Sequence, residues 1–430
     1  MSAADNTITQ FEQELSERLI AETANNHREW MILTTAANEG EIVSEESAAY
    51  TLNGSNGEAM ILFPKLDDRN AGAVLDRICS YYYDRKPESL VGCWSIDPPT
   101  PVNLGIKLLA RGFQPGWRPC WMGINLEDTI TEHTKPKGLK IILDSCDNEW
   151  KSDGLPYFYD GLHRTIRAAS RLAPNRVFHA TAFQDGEVVG HCILYISEAN
   201  PRYAGLYSVG VLESARNRGI GKAMVASVCE KAKSYGCEYV LLNATGKKMY
   251  QQIGFQHLGD GWTWWLNVPK LYQYPVSRSK TEIAEAACSS NISQLSQLID
   301  NIDIEDLNWP LPNGMNLVQL AIFTGNCENA LILHEYGAAM DPISAWECGW
   351  KDMAIDLLSE SPETVNMQNG EMMLTPMHRA VEKKDAELVK ILLGYHPDLN
   401  LKDCVFHSTP LGWAKHFQMD EITMLLENAR

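Results

Sequence analysis

The stretch from Gly205 to Val225 restricts the fold of this chain more than any other. An apolar run ends near Leu212 and a short turn follows. Then Arg216-x-x-Gly219-x-Gly221 opens a segment whose apolar residues Ile220, Met224, Val228 and Ala232 recur every four. The pattern is a strand, a glycine turn and a helix. Glycine lets a backbone approach a ligand closely because no Cβ intervenes. The free N–H groups and the dipole at a helix start attract an anion such as a pyrophosphate. Arg216, Arg218 and Lys222 add positive charge at the same end. Gly-x-Gly alone also fits an ordinary strand–helix connection. A Rossmann dinucleotide site is excluded, because it needs G-x-G-x-x-G in the first βαβ unit and an acidic residue after the next strand.

A second pattern follows in order. The helix ends at Gly236, a β-rich run covers Tyr239–Asn243, and Lys247-Lys248-Met249-Tyr250-Gln251-Gln252-Ile253-Gly254-Phe255 comes next. Arg-x-x-Gly-x-Gly resembles the coenzyme A signature of the GNAT N-acetyltransferases. Asn243, Tyr250, Gly254 and Phe255 match that family's N-x-x-A-x-x-x-Y-x-x-x-G-F, with Gly246 in place of the usual alanine. On these motifs residues 139–268 are identified as a GNAT domain. The resemblance implies an α/β fold, a mixed β-sheet flanked by helices, with acetyl-CoA as co-substrate. It places the pyrophosphate on the amides of Arg218, Gly219, Ile220, Gly221 and Lys222, with Arg216 close by. It gives the pantetheine arm the main chain of the strand carrying Val209 and Val211, and puts Asn243 beside the coenzyme.

In such an enzyme the amine attacks the thioester carbonyl directly. The oxyanion takes a backbone N–H, from Val209 or a neighbour, and a tyrosine hydroxyl suits the departing thiolate. Tyr250 is the expected donor; its other reading is an aromatic packed near Phe255. For the general base, many relatives carry a Glu on the strand before the loop, where this chain reads Leu206-Tyr207-Ser208-Val209. His191, on the strand Glu187–Ile196, is the best remaining candidate, and its other reading is a satisfied strand histidine. Tyr207, Asp160 and Glu213 are no better placed. The run Trp262-Thr263-Trp264-Trp265 either lines an acceptor pocket or packs the sheet.

The last third is periodic. Ala286, Ala321, Ala345, Ala380 and Ala414 are spaced by 35, 24, 35 and 34 residues, and each is followed twelve positions later by Leu298, Leu333, Leu357, Leu392 or Leu426. Thr375-Pro376-Met377-His378-Arg379-Ala380 resembles the ankyrin signature T-P-L-H-x-A, and Ser408-Thr409-Pro410-Leu411 repeats its opening. Proline's fixed φ suits the first turn of a helix. Residues 281–430 therefore read as an all-α solenoid of four to five ankyrin-like repeats, shortened around Ala345. Such stacks offer a concave protein-binding surface; a stabilising appendage is the other reading.

Ahead of the polar boundary Glu127–Gly138, the pattern predicts a helix over Asn6–Asn25, strands over Glu29–Thr35 and Ala59–Pro64, and a helix over Ala71–Tyr83. Leu104-Gly-Ile-Lys-Leu-Leu-Ala-Arg111-Gly112-Phe113 resembles the helix and Gly-Phe turn near residue 254, without any Arg-x-x-Gly-x-Gly before it. Residues 1–130 read as a degenerate GNAT-like domain or as an unrelated α/β domain. Tandem halves with one dead coenzyme site resemble acetyltransferases that inactivate amine-bearing antibiotics, including the zwittermicin-resistance type. That resemblance implies a small amine as acceptor. The ankyrin-like region suggests as alternatives a protein lysine acetyltransferase that docks its target, or a non-catalytic coenzyme A-binding interaction protein.

Composition sets the remaining limits. The net charge of −18 disfavours a nucleic-acid partner. No run of 18 apolar residues is present, so no membrane partner is expected. The start lacks a secretory pattern. Eleven cysteines, an odd number with no C-x-x-C pair, read as reduced thiols in a cytoplasmic protein with no metal site.

Overall fold

A computed structural model describes residues 3–54, 58–127, 136–144, 154–156, 161–273, 277–300, 302, 307–370 and 372–429. The chain divides into two compact units. One comprises Met1–Val74, Pro87–Val102 and Pro115–Trp265; the other comprises Leu75–Lys86, Asn103–Gln114 and Leu266–Arg430. No helix among the described residues is long and apolar enough to cross a membrane.

The elements run α1 (Ala3–Ala37), β1 (Glu41–Ser44), β2 (Ala49–Leu52), β3 (Ala59–Leu62), α2 (Ala71–Arg85), β4 (Val91–Ile96), α3 (Leu104–Leu109), β5 (Phe113–Pro115) and β6 (Cys120–Asn125). Then come β7 (Leu139–Asp144), α4 (Leu162–Leu172), β8 (Val177–Gln184), β9 (Glu187–Ile196), β10 (Tyr203–Val211), α5 (Ile220–Ser234), β11 (Tyr239–Asn243), α6 (Lys247–Gln251), β12 (Gln256–Leu266) and α7 (Val268–Gln273). The sheet of the first unit is continuous, in the order β1-β2-β3-β4-β12-β6-β11-β10-β9-β8-β7. It crosses the polar stretch between residues 127 and 138: β6 pairs antiparallel with β11 (Leu241↔Gly123) on one side and with β12 (Gln256↔Gly123) on the other.

Side chains alternate across the strands. Cys192 and Leu194 join Met224 and Val228 of α5 in one core, while Ile193 and Tyr195 face Ile166 and Trp30 on the opposite side. The expected strand Glu29–Thr35 is instead the end of α1. Trp30 and Leu33 face the α4 core, and Ile32 packs with Met60 and Leu62 of β3. A helix covered on two sides becomes apolar around much of its girth, and a run as short as Trp30-Met31-Ile32-Leu33 cannot be told from a strand by periodicity. Earlier on α1, the His27 ring lies 4.7 Å from Trp94, 5.6 Å from Phe63 and Tyr207 and 5.8 Å from Trp121, centroid to centroid.

The other unit is helical after α7. Its described helices pair as α8 (Arg278–Cys288) with α9 (Ile292–Ile299), α10 (Leu317–Phe323) with α11 (Cys327–Glu335), α12 (Pro342–Glu347) with α13 (Lys351–Glu360), α14 (Pro376–Glu382) with α15 (Ala386–Leu393), and α16 (Pro410–His416) with α17 (Asp420–Asn428). The five periodic alanines are all buried, as are Leu333, Leu392 and Leu426; Leu298 and Leu357 are half-buried beside buried Ile299 and Leu358. Thr375 caps α14 by accepting the His378 N–H, with Pro376 in the first turn. The His378 ring then reaches the Ser408 carbonyl at 3.0 Å, tying one helix pair to the next. Cys327 and Cys348 form a disulfide, which corrects the reading of all cysteines as reduced thiols. Their separation of 21 residues matches no recognised motif; stacked helix pairs bring the start of α11 to the end of α12.

Arg111, just before the Gly112-Phe113 turn, is buried in this unit. It donates to Asp76 and to Glu285 at 2.8 Å each, and Lys107 reaches the other oxygen of Glu285 at 3.0 Å. Removing one partner of a buried ion pair strands the remaining charge. Glu285→Ala is therefore expected to destabilise this unit by about 3 kcal/mol, measured by urea unfolding, with Glu285→Gln intermediate.

Enclosure lowers the pKa of His27 to about 4 and that of His179 to about 3. The unfolded chain takes up these protons near pH 6.5, before the folded one can. Stability is thus full above that pH and is lost as the pH falls from 6.5 towards 4. The expected loss is about 1.4 kcal/mol per group per pH unit in that window. A His27→Phe variant should show a shallower decline in melting temperature between pH 6.5 and 4.5 than the unaltered chain.

Candidate functional site

The site begins where two parallel strands part. β10 and β11 pair from Tyr203↔Tyr239 to Leu206↔Leu242 and no further. At the closed end Tyr203 and Tyr239 stack, with ring centroids 5.4 Å apart. Just past the last pair β10 bulges: Ser208 adopts φ +51°, and the register against β9 shifts between Tyr207 and Gly210. A bulge bends and re-aims a strand, so the rest of β10 follows β9 away from β11. Gly210 permits this turn, because a Cβ there would lie 2.3 Å from the Pro156 carbonyl oxygen.

β10 continues through a short 3-10 turn, Glu213–Ala215, into α5. Gly219 is the N-cap in the left-handed region, φ +79°, which favours glycine. The first bond inside the helix runs from Ala223 N–H to the Gly219 carbonyl. The amides of Ile220, Gly221 and Lys222 therefore have no partner within the helix and face outward from its positive end.

A cleft of about 640 Å³ opens at this point. Of the residues expected to bind the coenzyme, Val209, Val211, Arg216, Gly219, Ile220, Gly221 and Lys222 all line it, and so does Tyr250 from α6. Arg218 is exposed outside the lining. Asn243 turns the other way, its side-chain carbonyl accepting the Cys120 N–H at 3.2 Å. Pro156, Gly210, Thr245, Lys248 and Met249 also line the cleft without having been singled out. Lys248 and Met249 lie inside the Tyr-Gly-Phe motif, so the sequence held that signal; Pro156 carries none. The lining holds the cations Arg216, Lys222 and Lys248 and no carboxylate among the described residues, in a chain with a net charge of −18.

Tyr250 is 5% exposed, and its ring meets Phe255 edge-on at 5.7 Å, so it both lines the cleft and packs. His191 is fully buried. Its Nε2 sits 3.0 Å from the Pro156 carbonyl and its Nδ1 3.3 Å from His179 Nε2. Burial holds its pKa below the usual histidine range. That geometry fits the satisfied strand histidine. Tyr207 donates its hydroxyl to Asn26 at 2.5 Å, and burial keeps that hydroxyl protonated. Glu213 is exposed, and Asp160 lies outside the described residues. Of the tryptophan run, Trp262 stacks under Arg118 and Trp264 is buried, as sheet packing requires.

Residues 139–255 match the model of the Acetyltransferase (GNAT) family. No curated protein matches the chain. Among solved structures, it is similar to a GCN5-related N-acetyltransferase from Kribbella flavida, at 14% identity and a TM-score of 0.41, covering 56% of this chain and 95% of that one. A GCN5-related N-acetyltransferase from Sphaerobacter thermophilus follows at 16% identity and a TM-score of 0.36, covering 52% and 81%. A tandem GNAT protein from the clavulanic acid biosynthesis pathway shares 14% identity, with a TM-score of 0.39 and coverage of 52% and 80%. With its parted strands, its glycine-capped helix and the matched family model, residues 139–255 form an acetyltransferase domain of the GNAT family.

Proposed function

We propose that this protein is an acetyl-CoA-dependent N-acetyltransferase acting on a primary amine of a small molecule, with amine-bearing antibiotics the first class to try. The observation that carries the reading is the charge of the cleft: three cations and a helix N-terminus converge there in an otherwise acidic protein. A pyrophosphate is the natural occupant of such a place. The parted edge of β10 then suits an extended amide-bearing arm, which can pair with a strand that has lost its neighbour.

In the proposed reaction the neutral amine attacks the thioester carbonyl. A C–N bond forms, and the oxyanion is stabilised by a backbone N–H of β10 near Val209. The C–S bond then breaks, the Tyr250 hydroxyl gives its proton to the departing thiolate, and the nitrogen's extra proton returns through water to the Tyr250 oxygen. The amine needs a route in, and the net acidity of the chain favours a cationic acceptor.

We further read residues 1–130 as a degenerate second copy. β3 and β4 are parallel and joined through α2, as β10 and β11 are joined through α5. Gly112 and Gly254 both adopt positive φ, +85° and +115°, at Gly-Phe turns after short helices. Where the second copy has its glycine turn, the first has Asp67, whose carboxylate accepts the Arg69 and Asn70 N–H groups just before α2. A carboxylate there competes with any phosphate. The helix pairs we read as ankyrin-like. Their groove of about 460 Å³ includes Asp341, Glu360 and the Glu347–Arg379 pair, and its net acidity is what supports the second reading of a docked lysine-bearing protein as acceptor.

Calorimetric titration with acetyl-CoA, coenzyme A and NAD tests the first reading. Binding of the first two and not NAD is expected, with at least about 100-fold weaker binding for Gly221→Glu, a loss of roughly 2.7 kcal/mol. No binding of acetyl-CoA by the unaltered chain would sink it. Tyr250→Phe should lower kcat about 10²-fold at unchanged coenzyme affinity in a thiol-release assay; unaltered turnover would leave Tyr250 a packing residue.

A further inference from the structure

Strands β6 and β12 bring a thiol, an imidazole and a carboxylate to one place. Cys120 and Asp260 are direct cross-strand partners. His257 lies three residues before Asp260, and strict alternation would put those two side chains on opposite faces of the sheet. The register shift between His257 and Gly259 inserts the residue that reverses the phase. As a result one ligand atom from each of Cys120, His257 and Asp260 lies within 4.8 Å of the other two.

We propose that Cys120, His257 and Asp260 bind a divalent transition metal of the zinc class. Thiolate, imidazole and carboxylate are the three ligand types zinc takes, and calcium or magnesium would require an oxygen shell. Three protein ligands leave one tetrahedral position for water or an incoming ligand. The site is reachable, since the His257 and Asp260 side chains are 37% and 46% exposed. It is also anchored. The Cys120 N–H is held by Asn243, and its carbonyl accepts the Ala244 N–H at 2.8 Å. The 3.0 Å contact between His257 Nε2 and Asp260 Oδ1 holds these two side chains near one another, while an exposed pair of this kind contributes only about 0–1 kcal/mol alone. A thiol gives up its proton when it becomes a metal ligand. With Cys120 and His257 so far apart in sequence, no metal-ligand spacing announces the site. It stands independently of acetyl transfer.

The test is a cobalt(II) titration of the full chain after treatment with a chelator, followed by visible absorption and the thiolate-to-cobalt charge-transfer band. One equivalent should bind, and zinc should displace it. Cys120→Ser should remove the charge-transfer band. His257→Ala and Asp260→Asn, both at exposed positions, should each weaken binding at least about tenfold. Cys404→Ser, at the exposed cysteine of the helical unit, should change nothing. A band that survives Cys120→Ser, or its absence from the unaltered chain, would overturn the proposal. So would cobalt affinity unchanged by His257→Ala.

Discussion

Strand β6 carries the rest of the first unit. β11 is a five-residue strand that must hold β10 at one end and release it at the other. It can do so because its opposite edge is paired along its whole length, Tyr239↔Asn125 through Asn243↔Trp121, by a strand from far earlier in the chain. Ladder hydrogen bonds on that edge fix β11 in place, so the divergence beyond Leu206 falls entirely on β10. The bulge at Ser208 and the missing Cβ of Gly210 then set the direction of that divergence. The cleft is thus a property of the joined halves, and residues 139–268 alone would lack the strand that steadies its inner wall.

The same joining gives the two halves different fates. Each has a parallel strand pair bridged by a helix, so each had the geometry for an anion at that helix's start. In one half the turn is glycine-rich and flanked by Arg216 and Lys222. In the other, the Asp67 carboxylate accepts the Arg69 and Asn70 N–H groups just ahead of α2 and brings a negative charge of its own; those hydrogen bonds hold its carboxyl below the usual range. A carboxylate at a helix N-terminus is stabilised by the same dipole that attracts a phosphate.

The sequence announced local features well and distant ones poorly. The glycine turn, α5, β9 and β11 were legible because their signals are close together in the chain, and the proline-led starts of α14 and α16 because proline's φ acts within one turn. The end of α1 was not legible. Its four apolar residues look like a strand until the two cores on either side of it are known. The insertion of β6 between β11 and β12, the Cys327–Cys348 disulfide and the Arg111–Glu285 pair all depend on residues brought together by tertiary structure, where spacing in the chain carries no information. His191 shows the same limit at the scale of one side chain. Its strand was correctly read, yet its partners, His179 on β8 and the Pro156 carbonyl, decide what its nitrogens can do.

Arg111 also bears on how the helical unit should be thought of. A pure appendage could be removed without consequence for residues 1–268. Here α3 and its Gly-Phe turn belong to the same compact unit as the helix pairs, with Arg111 and Lys107 both paired to Glu285 of α8 and Arg111 also to Asp76. A Cβ on Gly112 would lie 2.3 Å from Pro312, and Asn313 donates to the Phe113 carbonyl at 3.1 Å. Losing residues 281–430 would take Glu285 away from Lys107 and Arg111, leave Arg111 with Asp76, and strip the cover from Gly112. The helix pairs are therefore part of what lets residues 103–114 fold, whatever they bind. Any role they have in choosing an acceptor must be sought with substitutions on their exposed face.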